Sequence, residues 1–372
     1  MCYAHPTMPP THAPLAVASP SQPLNLLALD QSAMERLVAD LGWPRYRSSQ
    51  ILRWLYRSRV TDIDQLTDLS KAQRSALRMR AGINRLHDVR MLASRDGTRK
   101  ILARLEDGLL LESVLIPDDG RLTLCLSTQV GCTLDCRFCL TATMGLKRNL
   151  KAHEVVDQVL TAQDTLAPRE RLSNLVLMGM GEPLANFGAV ADAIRRITNP
   201  AWGLGISARR VTVSTAGIAT RLKDLSALGV NVAISLNAAN EAQRDRLMPA
   251  VNRLHPLSRL MAACRAYPLA PHRRLTFEYV LLAGVNDAEQ DAKMLAKLLH
   301  GIRCKVNLIP FNEFPGAEFR RPTDEAVRRF QQVLRVRGLD VFVRKSKGRD
   351  VLGACGQLGD VPLALMPVAA LG

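Results

Sequence analysis

The sequence predicts an α/β protein: a parallel sheet covered by helices, open or curled into a barrel, preceded by a small all-helical domain. Three observations carry that reading. From Leu122 onward, strand-like and helical runs alternate, the pattern of repeated βα units. From Asp30 to about Ala81 the apolar spacing is helical. The chain has 372 residues, long for one ordinary core, so two domains are expected.

Residues 1–24 carry Pro6, Pro9, Pro10, Pro14, Pro20 and Pro23 and no Lys or Arg, and read as a disordered Pro-rich tail. Residues 25–86 read as a helical accessory domain. Ser32 is placed to cap a helix holding Met34, Leu37, Val38 and Leu41, which Gly42 ends. In the next run Ile51, Leu52, Trp54 and Leu55 keep helical spacing, surrounded by Arg45, Arg47, Arg53, Arg57 and Arg59. Ser70 opens a third helix through Leu77. Residues 87–121 alternate about a Glu106-Asp107-Gly108 turn, as a β-hairpin linker does. Residues 122–372 form the core, with strands expected at 122–130, 174–178, 210–214, 230–236, 275–281, 305–308 and 341–344. Helices are expected at 153–162, 189–197, 218–227, 257–266, 288–299 and 324–336.

A composition of 47% hydrophobic and 23% charged residues is that of a folded globular chain. No apolar run approaches the ~20 residues that a membrane helix needs. The N-terminus lacks the basic and apolar regions of a secretory leader, so a cytoplasmic protein is expected. Fifty Lys and Arg against 34 Asp and Glu leave a formal charge of +16. Such an excess suits a protein that neutralises phosphates, which makes nucleic acid the expected partner. Trp54 and Tyr56, set among the arginines of the helical domain, suit RNA stacking contacts.

The eight cysteines are too sparse for a disulfide scaffold and are unevenly placed. Cys132, Cys136 and Cys139 form CxxxCxxC at the mouth of the first expected barrel strand. Structural zinc takes four N or S ligands, commonly as paired CxxC units, and a zinc-containing RNA-binding protein is one reading. An iron–sulfur cluster held by only three thiolates keeps one iron open, which is the other. Cys264 and Cys304 sit in apolar runs and read as core, and Cys2 as a tail residue.

With CxxxCxxC after the first strand of a βα barrel, the sequence resembles the radical S-adenosylmethionine (SAM) superfamily. The implied fold is a partial (βα)6 barrel with a 4Fe–4S cluster on Cys132, Cys136 and Cys139, whose open iron takes the methionine end of SAM. The segment MGMGEPLAN looks like the superfamily's SAM-binding GEP segment, and polar residues at successive strand ends would converge on one pocket.

The runs CLSTQVGC, MGMGEPLAN, RRVTVSTAG, NLIPFNEFPG and ACGQL together resemble, from about residue 28 onward, a family within that superfamily: the dual-specificity RNA adenine methyltransferases. The resemblance implies that Cys355 carries the methyl group, Cys125 resolves the covalent adduct and Glu112 accepts the ring proton. It implies SAM contacts at Gly181, Glu182, Ser214, Ser235, Leu236, Asn237 and Asn312. Two SAM molecules are implied per turnover: one methylates Cys355, and the other yields the radical that takes a hydrogen from that methyl. The carbon radical then adds to adenine, and Cys125 frees the RNA by forming a transient disulfide with Cys355. Implied partners are 23S rRNA, tRNA and a reducing electron donor such as flavodoxin, and nothing calls for more than a monomer. Cfr-like enzymes of the same fold act at carbon 8 instead of carbon 2, and short motifs do not separate the two. Two departures stand out: Asn237 where many relatives have His, and Ala142 where Gly is frequent.

Overall fold

The computed structural model describes residues 23–359. The expected tail lies outside the described residues except at its end, where Leu24–Asn25 pairs in parallel with Ala81–Gly82. The helical domain is built from α1 (Gln31–Asp40), α2 (Tyr46–Arg53) and α3 (Lys71–Arg78). Asp30, not Ser32, caps α1, its Oδ1 accepting the Ala33 amide at 2.7 Å. Ser70 caps α3 in a capping box with Gln73.

Beyond α2 the helix widens into a π turn, Trp54–Ser58, which rolls Tyr56 inward. Tyr56 is only 1% exposed, stacks edge-on against Trp202 and accepts a hydrogen bond from Arg196 at 3.2 Å. The expected RNA stacking by Tyr56 is therefore overturned, since its ring is spent on the joint between domain and barrel. Arg57 donates to the carbonyls of Pro200 and Gly203, and Arg59 pairs with Asp164 at 2.6 Å, so part of the basic face is a mortise rather than a free surface. One continuous apolar core runs from Leu26 and Ile51 into the barrel residues Val159, Leu175 and Ile234.

The main sheet has ten strands: β1 (His87–Ala93), β2 (Arg99–Arg104), β3 (Leu110–Asp118), β4 (Arg121–Cys125), β5 (Asn174–Leu177), β6 (Val211–Thr215), β7 (Asn231–Ser235), β8 (Leu275–Leu281), β9 (Cys304–Pro310) and β10 (Val341–Val343). Spatial order follows chain order from β1 to β10. The first four strands are antiparallel to one another, and β4 through β10 are all parallel. The expected linker is thus no separate hairpin. Asp119 and Gly120 both adopt positive φ in a two-residue turn that pairs β3 with β4, fusing the meander to the first barrel strand.

Helices α4 (Ala152–Asp164), α5 (Phe187–Thr198), α6 (Leu257–Arg265), α7 (Glu289–Leu299) and α8 (Asp324–Val336) follow strands as expected. Residues Ala219–Leu228 form a 3₁₀ helix instead of the expected α-helix, because the buried Ala219, Leu222 and Leu225 recur every third residue.

Curling of the sheet is visible in one contact. Arg344 follows β10 and Met178 follows β5; in a flat sheet those strands lie about 24 Å apart. Yet Arg344 Nη1 reaches Met178 Sδ at 3.8 Å. The parallel strands therefore wrap most of the way round a barrel, and their C-terminal ends meet at one mouth.

Candidate active site

The barrel mouth holds an open cleft. Its walls carry Cys132, Cys136, Cys139, Gly181, Glu182, Ser214, Ser235, Asn237, Asn312 and Cys355. Strand ends converging on one cavity are the functional end of a βα barrel.

The cysteine loop turns at Gly131, whose φ is +76°. A Cβ there would lie 1.8 Å from the Gly145 carbonyl oxygen, so only glycine fits. Two bonds hang the loop on a pair of short helices: the Arg137 amide donates to Leu247 O at 3.0 Å, and Asp135 Oδ1 accepts the Ala250 amide at 2.9 Å. Burial pushes the Cys132 thiol up to about 12 and Cys136 well above its ordinary value; Cys139 moves the same way. Such thiols ionise only with a cation beside them, and thiolate is the ligand form.

Among the described residues, no three His, Cys, Asp or Glu side chains converge as a single ion would require. Three thiols on one short loop opening into the cleft are a donor set that fits a three-cysteine 4Fe–4S cluster. Arg244, which the sequence did not flag, is fully buried beside this loop. It donates to Leu236 O at 2.7 Å and Ala216 O at 2.5 Å, and burial holds its guanidinium down to about 10.

Glu182 braces the mouth. Its Oε1 accepts the Leu184 amide at 3.0 Å and its Oε2 the Ala216 amide at 2.7 Å, while burial raises its pKa. Gly181, at φ +95°, lies against Gln129, where a Cβ would come within 2.5 Å of that side chain. Ser214 and Ser235 Oγ atoms lie 3.4 Å apart, and Ser214 donates to Glu278 Oε2 at 3.2 Å.

Asn237 adopts φ +58°, a left-handed conformation that Asn tolerates well. Its Oδ1 already accepts the Val280 amide at 2.9 Å, leaving the amide nitrogen against Met248 Sδ. Leu236 is the exception among the expected contacts: its side chain belongs to the core, and it does not line the cleft. Alternation along β7 turns it outward, away from Ser235 and Asn237. Asn312 donates to Cys355 O at 3.1 Å, and its buried Oδ1 has no partner. An orphaned acceptor in the cleft suits a ligand N–H, such as the ammonium or adenine amine of SAM.

Cys355 is half-buried and lines the cleft together with a smaller adjoining cavity, whose wall also carries Cys125 and Arg344. Burial first, and then the neighbouring Cys355, push the Cys125 thiol up to about 12. Arg344 pairs with Glu278 Oε1 at 3.3 Å, its side chain 31% exposed. Glu112 does not line the cleft. It is 2% exposed, bonded to Lys100 Nζ at 2.8 Å and to the Gly359 amide at 3.0 Å.

Comparisons with known proteins agree with this geometry. The family model of the radical SAM superfamily matches residues 126–296. That of the ribosomal RNA large subunit methyltransferase N-terminal domain matches residues 24–83. The dual-specificity RNA methyltransferase RlmN of Desulfosudis oleivorans is 52% identical over 314 residues, 84% of each chain. Its counterpart in Syntrophotalea carbinolica is 51% identical over 327 residues, covering 87% of this chain and 86% of the relative. A radical SAM methyltransferase from Sphaerobacter thermophilus, known from its crystal structure, superposes with a TM-score of 0.84 at 43% identity, covering 90% of this chain and 99% of the other. The chain belongs to the RlmN family of dual-specificity RNA methyltransferases, within the radical SAM superfamily.

Proposed function

We propose that the enzyme methylates carbon 2 of one adenosine in the peptidyl-transferase centre of 23S rRNA, and of the adenosine 3′ to the tRNA anticodon. The transfer runs through methylated Cys355 and a transient Cys125–Cys355 disulfide. The observation that carries this reading is the shared cavity of Cys125 and Cys355, which adjoins the three-cysteine cleft.

Cys132, Cys136 and Cys139 would hold the cluster, which with bound SAM supplies the organic radical. Glu182, Ser214, Ser235, Asn237 and Asn312, with the backbone at Gly181, would seat SAM. Cys355 would take the methyl group of one SAM, and a second SAM seated in the cleft would supply the radical chemistry. Carbon 2 of adenine is electron-poor, so a thiolate is the competent methyl acceptor. Arg344 lies beside Cys125, its positive charge opposing part of the burial penalty on that thiol. Cys125 attacks Cys355 once RNA is attached; the RNA-bound carbon leaves with the bonding pair and takes a proton to complete its methyl group, and a cellular dithiol reduces the disulfide left behind. Glu112 takes the ring proton; because the Gly359 amide covers its carboxylate, the 352–359 segment has to shift for it to meet the base.

A flavodoxin-class donor, a monomeric state and a cytoplasmic setting complete the proposal. No described helix is long and apolar enough to cross a membrane. Digesting reacted RNA and separating its nucleosides by chromatography and mass spectrometry tests the regiochemistry. 2-Methyladenosine supports the proposal, whereas 8-methyladenosine replaces it with the Cfr-like reaction.

A further inference from the structure

Lys100 and Glu112 form an ion pair at 2.8 Å with side-chain exposures of 0% and 2%. They are diagonal neighbours on β2 and β3, since Lys100 faces Val114 and Leu102 faces Glu112 in the antiparallel register. Burying two such charges is costly unless the remaining protons and lone pairs are also bonded. Here part of that bonding comes from a remote stretch of chain. Lys100 Nζ donates to Leu352 O at 3.3 Å, and Glu112 Oε2 accepts the Gly359 amide at 3.0 Å. Cys355 lies between those two attachment points. Apolar side chains of similar volume would hold β2 to β3 about as well, so cohesion of the hairpin does not call for this pair.

We propose that the Lys100–Glu112 pair is a latch that grips both ends of the 352–359 segment and so positions Cys355 for methyl loading. Lys100 is then a positioning residue, acting on Cys355 through the Leu352 carbonyl. The proposal rests on Cys355 being the methyl carrier, yet the latch is measurable without that chemistry. The strands provide a rigid platform, and the segment follows it. With Lys100 gone, Leu352 loses that donor and the Glu112 carboxylate loses its counter-charge, so the hold of the strands on the segment weakens.

The test uses the full chain without cluster or SAM, with two readouts. The first is hydrogen exchange in the unaltered protein, where the Gly359 amide is expected to be strongly protected; exchange at the rate of an exposed amide would overturn the latch. The second is site-resolved iodoacetamide labelling of Cys355 in Lys100→Met, in Lys100→Arg and in the double variant Lys100→Met with Glu112→Gln. The double variant removes the buried carboxylate charge along with its counter-ion and so guards against unfolding of the single one. Labelling of Cys355 is expected to rise about tenfold in the folded double variant. Cys264 and Cys304 should stay unreactive, and Lys100→Arg should remain nearer the parent. Parent-level labelling of Cys355 in the double variant would show that Lys100 only balances charge. Mass analysis of the parent protein after incubation with SAM separates the two claims: an unmethylated Cys355 would defeat the carrier role while leaving the labelling result to judge the latch.

Discussion

The amide of Leu140, one residue past Cys139, donates at 2.8 Å to the carbonyl of Gly356, one residue past Cys355. Thr141 Oγ1 adds a second stitch to Leu358 O at 2.6 Å. The loop that would hold the cluster and the segment that would carry the methyl group are therefore a single packed unit, although they come from opposite halves of the sequence.

Thr141→Val keeps the shape but removes the hydroxyl donor from a buried carbonyl. Loss of that bond should cost about 1–2 kcal/mol in urea unfolding. Methyl loading of Cys355 should slow while iron content holds, as intact-protein mass and iron analysis would show.

Cys125→Ala should leave RNA attached to Cys355, since no thiol remains to displace it. A covalent RNA–protein band on denaturing gels, absent when Cys355→Ala is added, is the expected outcome. Free methylated RNA released at the parent rate would remove Cys125 from the mechanism.

Gly131→Ala places a methyl 1.8 Å from Gly145 O at a φ of +76°. The loop has to move, at a cost of roughly 3 kcal/mol. Reconstituted protein should carry less iron per chain, and its thermal midpoint should fall.

The buried Cys264 thiol is pushed by desolvation from 9.0 to about 12. In the unfolded chain it ionises near its ordinary value, so above pH 9 the unfolded state releases a proton that the folded state keeps. The stability it contributes is complete below that pH and is lost as pH rises toward 12, by at most about 1.4 kcal/mol per pH unit. Unfolding free energy of the parent should thus fall more steeply between pH 9 and 11 than that of Cys264→Ala. Parallel slopes would contradict the assignment of Cys264 to a dry core.

The parallel strands are legible because apolar residues alternate along short runs, as in LTFEYVL and CKVNLIP, and helical runs separate them. The cysteine spacing and the glycine of GEP were equally plain, since local chemistry dictates them. Asp119-Gly120 is a local hairpin signal like the Glu106-Asp107-Gly108 turn. The remaining features depend on distant chain. The sequence does not single out Lys100 and Arg244, because nothing local says that 352–359 will cover the one or that two strand ends will bind the other. Tyr56 read as an RNA contact because a π turn has no spacing signature. Glu112 was picked out only by resemblance; alternation along β3 does not reveal which face becomes buried.

The central claim, that the carbon reaching RNA comes from Cys355, is tested most directly by a pulse and chase. Protein loaded with SAM labelled in its methyl carbon is freed of that SAM, then given unlabelled SAM, reductant and unmodified RNA for a single turnover. The label should leave Cys355 and appear at carbon 2 of adenosine in the first product. Unlabelled product with the label still on Cys355 would contradict it.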